Sequence, residues 1–259
     1  MDYLNIDNLS KSYGNIAALS GIKFNIRQGE KVALLGSNGA GKSTLVNICT
    51  GLRRADYGEA KLFGKTPFEI AIKKKFSILP QTLQFPKGLK CKEVIDLVAS
   101  HYENPNTSEL VAKLEVSNLL NKFTSNLSGG EKRRIAFLLT FLGEPDLVFL
   151  DEPTANIDIE NKEIIYEFLK DYYSKDHRSL LFTSHQMNEV EKVAERLIVL
   201  HQGKVILDSP VHEVKNSFSL RSVSFKAKND PAEFTNCEKL VKQGDTYTVY
   251  CNDTDQAVK

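Results

Sequence analysis

Polar and apolar positions alternate across residues 1–30, as in YLNIDNL and IKFNI, with Gly14, Gly21 and Gly29 as punctuation. A period of two predicts short, largely antiparallel strands. KVALLG is a brief apolar run ending in a glycine-rich loop, which reads as a buried strand turning into a helix. Residues 45–52 supply that helix, with Leu45, Ile48, Cys49 and Leu52 on one stripe. After FSILPQ the texture changes, and residues 87–125 predict short amphipathic helices (Val94, Ile95, Val98; Leu110, Leu114) broken at ENPNT.

From residue 131 helix and strand alternate. The helix of Ile135, Leu138, Leu139 and Leu142 leads to the strand LVFLD, and that of Ile164, Ile165, Phe168 and Leu169 leads to SLLFTSH. A third, with Met187, Val190, Val193 and Ala194, leads to RLIVLHQGKVILD, a hairpin with Gly203 in its turn. This alternation implies a parallel sheet with helices on both faces. Past Pro210, LRSVSFKAKND and DTYTVYCND read as strands of a small α+β appendage. The expected organisation is a main domain over 1–210, with a helical subdomain at about 82–142, and an extension over 211–259 that carries no chemical motif.

Composition narrows the class. A chain of 259 residues has room for one sizeable core and an appendage. A net charge of +1 argues against a basic nucleic-acid footprint or a polybasic membrane tail. The clusters IKKKF and EKRRI read as solvated helix faces. Cys49, Cys91, Cys237 and Cys251 lack metal-ligand spacing, and Cys49 reads as a buried structural thiol. The opening MDYLNIDNLS lacks the regions of a signal peptide, and no run approaches the ~20 apolar residues of a membrane span. A cytoplasmic location is expected, and any work at a membrane needs a separate spanning polypeptide.

GSNGAGKS fits the pattern G-x-x-x-x-G-K-S/T at Gly36, Gly41, Lys42 and Ser43, after a predicted strand and before a predicted helix. In such a P-loop the backbone N–H groups curl around phosphate oxygens, Lys42 reaches the β- and γ-phosphates, and the Ser43 hydroxyl ligates Mg²⁺. LVFLDE places Asp151 at the C-terminal end of a central strand, where open α/β sheets bind ligands, so Asp151 can hold Mg²⁺ directly or through water. Glu152 can polarise a water aligned on the γ-phosphate, although an Asp-Glu pair at a strand end also suits a solvated turn. His185, closing LFTSH, is either a satisfied strand-end histidine or a partner of a γ-phosphate oxygen or the water. Gln81 and Tyr13 are weak signals alone; Tyr13 can stack on adenine or be an exposed loop residue. SNLSGGEKRR, residues 125–134, is a second anion-binding pattern, a Ser and two Gly running into a helix.

Together these segments resemble the ATP-binding subunits of ABC transporters, over residues 3 to about 210. Tyr13 matches the aromatic A-loop, and Gly36, Ser37, Asn38, Gly39, Ala40, Gly41, Lys42, Ser43 and Thr44 match the Walker A loop. Gln81 matches the Q-loop, Leu127–Glu131 the family signature, and Leu147–Asp151 the Walker B strand, followed by Glu152. Ala155–Asp158 takes the place of the D-loop and His185 that of the H-loop. Many NTPases share a P-loop, whereas LSGGE is specific to this family.

The resemblance implies an α/β fold of the ABC-type P-loop NTPase: a mostly parallel sheet core, an N-terminal antiparallel β subdomain, a helical insertion and a small α+β C-terminal extension. It implies ATP hydrolysis with Mg²⁺, in which Glu152, His185 and Lys42 are catalytic, Ser43, Gln81 and Asp151 hold the metal, and Asp158 lies at the nucleotide. Two subunits would pair head to tail, so that Ser128, Gly129 and Gly130 of one cap the γ-phosphate held in the Walker A loop of the other. Two residues depart from the family pattern. Glu131 stands where Gln is common and is expected to leave the capping donors unaffected, and Ile157 replaces a Leu near-isosterically.

The implied partners are a second ATPase subunit, identical or related, and a separate membrane-spanning permease subunit that holds the chain at the inner face of the cell membrane. No nucleic-acid partner is expected. A short helical insertion, one half-site set and a small extension resemble the ATPases of two-component exporters for drugs, antibiotics or bacteriocins. The alternatives are an importer ATPase subunit and a soluble ABC ATPase acting on ribosomes or DNA. The last usually carries two cassettes or a long coiled-coil insertion, and this sequence has one P-loop and no heptad run. A P-loop kinase leaves LSGGE and His185 unexplained.

Overall fold

The computed structural model describes residues 1–155, 157–174, 177–217, 221–226, 239–243 and 246–251. The chain divides into two compact units, Met1–Val211 and His212–Lys259.

In the first unit the alternating pattern forms two long strands, β1 (Asp2–Tyr13) and β2 (Ile16–Arg27), paired antiparallel through positions such as Ile6 and Phe24. The expectation of short strands punctuated by glycine is corrected at Gly21, which lies inside β2. At φ +62° it forms part of an irregularity where the register shifts between Leu9 and Lys11, and its N–H donates to Ser10 Oγ at 2.9 Å. The strand bends there and continues. The helix α1 (Lys42–Cys49) follows β3 (Lys31–Leu35), and β4 (Tyr57–Leu62) pairs on the other side of β1. Leu4, Ile6, Leu9, Ile22 and Ile26 turn inward and are buried, each contributing roughly 1.5–3 kcal/mol through lost water contact. Cys49 is buried in the same core, and burial pushes its thiol up to about 12.

The second sheet has six strands. β5 (Phe76–Leu79), β6 (Leu147–Leu150), β7 (Ser179–Ser184), β8 (Arg196–His201) and β9 (Lys204–Pro210) join β3 in the order β5-β6-β7-β3-β8-β9. Every pair is parallel except β8–β9, a hairpin turning at Gln202 and Gly203, both at positive φ. All residues of β6 and β7 are buried, which is why LVFL reads as a continuous apolar run and LLF forms the apolar centre of SLLFTS. The C-terminal ends of β6, β7 and β3 therefore lie side by side.

Between β5 and β6 the chain forms α2 (Cys91–Ala99), α3 (Thr107–Lys113) and α4 (Gly129–Phe141); α5 (Ile159–Tyr172) and α6 (Met187–Val193) flank β7 in sequence. An aromatic cluster joins α4 to α5: the Phe141 ring meets Phe168 edge-on at 4.8 Å and Tyr172 at 4.5 Å between centroids. Helix α7 (Val211–Ser217) leads into β10 (Arg221–Lys226), β11 (Lys239–Gln243) and β12 (Thr246–Cys251), an antiparallel sheet ordered β10-β12-β11. Strands expected at LRSVSFKAKND and DTYTVYCND correspond to β10 and β12, whereas β11 was not singled out by pattern; Cys237 lies outside the described residues.

Candidate functional site

β3 delivers the chain into a loop over residues 36–41, and α1 begins at Lys42. Gly36 N–H donates to Ser184 O at 3.3 Å and Ala40 N–H to Ser37 O at 3.2 Å. Gly41, preceding α1, adopts φ +105°, and a Cβ there would stand 2.5 Å from Ala18 O, so only glycine fits. The first turn of α1 has no acidic residue and its N-cap makes no side-chain hydrogen bond, so the helix dipole meets no neutralising side chain there. Lys42 is 5% exposed, and its Nζ donates to Gly36 O at 2.8 Å and Ser37 O at 3.2 Å, which folds the loop around the ammonium.

The end of β6 meets this loop. Asp151 is buried, and its Oδ1 accepts from Thr183 Oγ1 at 2.6 Å; the same hydroxyl accepts from Glu152 N–H at 2.8 Å. Glu152 sits at φ +46°, a left-handed conformation that costs a residue with a Cβ about 1 kcal/mol or more. Its Oε1 lies 3.4 Å from Lys42 Nζ and 3.8 Å from His185 Nδ1, and its Oε2 accepts from Gln81 Nε2 at 3.0 Å. Three residues singled out from sequence, Lys42, Gln81 and His185, thus converge on the Glu152 carboxylate. Lys42, Gln81 and Glu152 line an open cleft of about 350 Å³ together with Tyr13, Asn38, Gly39, Gly41, Ser43 and Thr44; His185 is not among the lining residues.

These groups suit a nucleoside triphosphate with its divalent ion. An uncapped helix start and a buried ammonium attract phosphate oxygens. Asp151, Ser43 and Gln81 offer hard oxygen atoms of the kind that bind Mg²⁺, which usually takes one or two carboxylates and completes its shell with water and substrate phosphate.

Ser128, Gly129, Gly130 and Asp158 do not line that cleft. Ser128 caps α4: its Oγ accepts from Glu131 N–H at 3.2 Å, while Glu131 Oε2 accepts from Ser128 N–H at 2.8 Å. The expectation that Glu131 leaves the donors of this segment unaffected is corrected here, since the backbone N–H of Ser128 is engaged by it. The hydroxyl acts as an acceptor in this box, so its own proton stays available to an anion. Lys122 Nζ donates to Glu131 Oε1 at 2.8 Å, and that bond, with the Ser128 N–H, holds the Glu131 carboxyl below the ordinary range. Asp158 caps α5, accepting from Asn161 N–H at 2.9 Å. Asn161 in turn bears on α4, because a Cβ on Gly130 would stand 2.5 Å from its Nδ2. Asn156, in the segment matched to the D-loop, lies outside the described residues.

Three residues of this region escaped the sequence reading. Arg133, in the cluster EKRRI expected to be a solvated face, is 6% exposed. Its signal was positional: Gly130, Arg133, Phe137 and Phe141 share one buried face of α4 at helical spacing. Burial pulls its guanidinium down to about 10 against the nearby Asp151 and Glu152 charges, so it remains protonated at neutral pH. Thr183 is the second, hidden inside an apolar strand run. Glu189 is the third: buried on α6, it accepts from Thr154 Oγ1 at 2.7 Å, Ser184 Oγ at 2.6 Å and Lys162 Nζ at 3.3 Å. Burial opposes its charge, but these bonds and the Lys162 ammonium outweigh burial and hold its pKa below the ordinary value.

Residues 19–155 match the ABC transporter family. The chain is 28% identical to a Nod factor export ATP-binding protein I of Rhizobium etli, over 99% of this chain and 85% of that protein. It is also 28% identical to a sulfate/thiosulfate import ATP-binding protein of Synechocystis, over 77% of this chain and 58% of that one. Some relatives are far longer, and this chain spans 16% of their length. Its fold superposes with a TM-score of 0.73 on a dimeric ATP-binding cassette in a post-hydrolysis state bound to ADP and Pi, at 26% identity, covering 80% of this chain and 98% of that structure.

Proposed function

Because this chain belongs to the ABC transporter family, we propose that it is the energy-coupling subunit of a transporter, pairing head to tail with a second ATPase subunit and driving a separate permease subunit. Its ATP-binding domain is an ATPase. We assign the hydrolytic work to residues 1–210, with 82–142 as the segment facing the permease, and 211–259 as an extension.

The convergence of Lys42, Gln81 and His185 on Glu152 carries the reading. In that place Glu152 accepts a proton from the attacking water as its oxygen bonds to the γ-phosphorus, and the bridging oxygen departs with ADP, taking the electron pair. Lys42 and the backbone of residues 36–44 hold the phosphates, Tyr13 stacks on adenine, and His185 hydrogen-bonds a γ-phosphate oxygen or the water. Ser43, Asp151 and Gln81 would hold Mg²⁺, which would supply neutralisation of phosphate charge.

Ser128, Gly129 and Gly130 lie outside their own chain's cleft, which supports their use on the nucleotide of a twin subunit, with Asp158 at the same seam. A groove of about 300 Å³ at Pro80, with Phe76, Leu79, Leu83, Phe85 and Leu139 among its walls, is offered to a helical segment of the permease. We place the subunit at the cytoplasmic face of the membrane, held there by that contact. Among the described residues no helix is long and apolar enough to cross a membrane. Export is the favoured direction, supported by the likeness to a Nod factor export protein over 99% of this chain. Import is the second reading, on the likeness to a sulfate/thiosulfate import protein.

Glu152→Gln tests the site. It should bind ATP, hydrolyse it about 10²- to 10⁴-fold more slowly and run as a dimer on size-exclusion chromatography in ATP·Mg²⁺. A variant that stays monomeric, or turns over at a near-normal rate, defeats the reading. The permease is tested by tagging the chain and solubilising membranes: a multi-span protein should co-purify, and Leu83→Asp should release it. Recovery only as a free protein counts against the assignment.

A further inference from the structure

One side chain of α4 reaches the cleft from behind. The Arg133 guanidinium donates five hydrogen bonds, all to backbone carbonyls. Nε reaches Pro153 O at 2.7 Å; Nη1 reaches Pro80 O at 3.0 Å and Gln81 O at 3.3 Å; Nη2 reaches Asp151 O at 3.0 Å and Glu152 O at 2.6 Å. The acceptors belong to two stretches, one after β5 and one after β6, that are distant in sequence and carry the two side chains bonded to each other in the cleft, Gln81 and Glu152. Only a planar fork with donors on three nitrogens can serve so many divergent oxygens at once; an ammonium is a single point of charge on a flexible stem.

The consequence is sharpest at Glu152. Its backbone stands in the left-handed region, and both of its peptide groups are held from outside: the N–H by Thr183 Oγ1 and the carbonyl by Arg133 Nη2. A strained conformation persists only where its surroundings over-determine it. Without Arg133 the carbonyl keeps only the longer bond from Ala155 N–H at 3.2 Å, the backbone can relax, and the carboxylate swings away from its aim.

We propose that Arg133 is a positioning residue for ATP hydrolysis, which fixes Gln81 and Glu152 in one frame and ties that frame to the helix that starts at Ser128. The inference rests on Glu152 as the hydrolytic carboxylate. Because the start of α4 is the part offered to the twin subunit's nucleotide, any shift of α4 on pairing passes through the Arg133 fork to Glu152 of its own chain. The end of a helix that senses one nucleotide and the carboxylate that takes the proton from water at the other are then one mechanical unit.

The test uses the full-length chain as Arg133→Lys and Arg133→Ala. Misplacement of a reacting group by about 1 Å lowers rates by up to about 10², so kcat should fall about tenfold or more in both, with KM for ATP within about threefold of the parent. Cooperative melting and the ATP-dependent dimer should persist in Arg133→Lys. Millimolar guanidinium should recover part of the lost rate in Arg133→Ala and leave the parent unaffected. Arg133→Lys with kcat within about twofold of the parent overturns the proposal. So does a loss in which kcat, ATP binding and the melting transition fall together, unresponsive to guanidinium, since that marks a structural role alone. Glu152→Gln separates the two levels: if it turns over normally the site assignment itself fails, whereas an inert Glu152→Gln beside a fully active Arg133→Lys sinks only the inference about Arg133.

Discussion

Glu152 and Asp151 are held by the same hydroxyl: Thr183 Oγ1 donates to the Asp151 carboxylate at 2.6 Å and accepts from the Glu152 N–H at 2.8 Å. Neighbouring parallel strands make this possible, because β6 and β7 pair with Leu150 opposite Phe182 and so bring the next residues level. Thr183→Val keeps the shape and removes both bonds. A buried N–H left without an acceptor costs about 1–3 kcal/mol, so the melting midpoint should drop in proportion, and kcat should fall more than KM rises. Differential scanning calorimetry with steady-state ATPase assays checks both; unchanged kinetics in a destabilised variant would confine Thr183 to stability.

Complementation tests the shared site. Lys42→Ala should lower ATP affinity at least about tenfold, the worth of one charge-assisted hydrogen bond, and lose the dimer with it. Ser128→Arg should bind ATP but fail to hydrolyse it. Neither variant alone should turn over, yet a mixture contains hetero-pairs in which Lys42 of one chain and Ser128 of the other complete one site. Recovered activity on mixing is the expected result, and a mixture as inactive as its components counts against the two-chain site.

Glu189 makes a prediction about acid. Its folded pKa is depressed below the ordinary carboxylate value of 4.5, so its stabilising contribution is complete above that pH and is lost as pH falls through the folded value. Glu189→Gln lacks this contribution and should be less stable than the parent by about 1–3 kcal/mol at pH 7. Thermal melts from pH 7 downward should show the gap constant to about pH 5 and narrowing below 4.5. A gap that stays constant to pH 3 would remove the ionised Glu189 from the account.

Much of the site was legible because its chemistry is local in sequence. A phosphate loop needs Gly36, Gly41, Lys42 and Ser43 at fixed offsets, and Asp151 is announced by the apolar run before it. Sheet order was legible only as a class, since alternation implies parallel strands but not that β3 sits between β7 and β8. Arg133 was misread because a charged run has the same composition whether it faces water or five carbonyl oxygens. Gly21 was misread because a glycine that bends a strand and one that ends it look alike until the partner strand is known. Thr183 was overlooked because in β7 a hydroxyl among apolar residues declares nothing until β6 lies beside it.

The helix starts of α4 and α1 are finished differently. α4 arrives closed on itself, with Ser128 and Glu131 exchanging bonds and Lys122 balancing the acid, while α1 begins at Lys42 behind Gly41, with no side chain to cap it. One end is settled during folding and the other waits for a guest. The start of α4 therefore forms without an anion, whereas the start of α1 gains partners for its free N–H groups when phosphate binds.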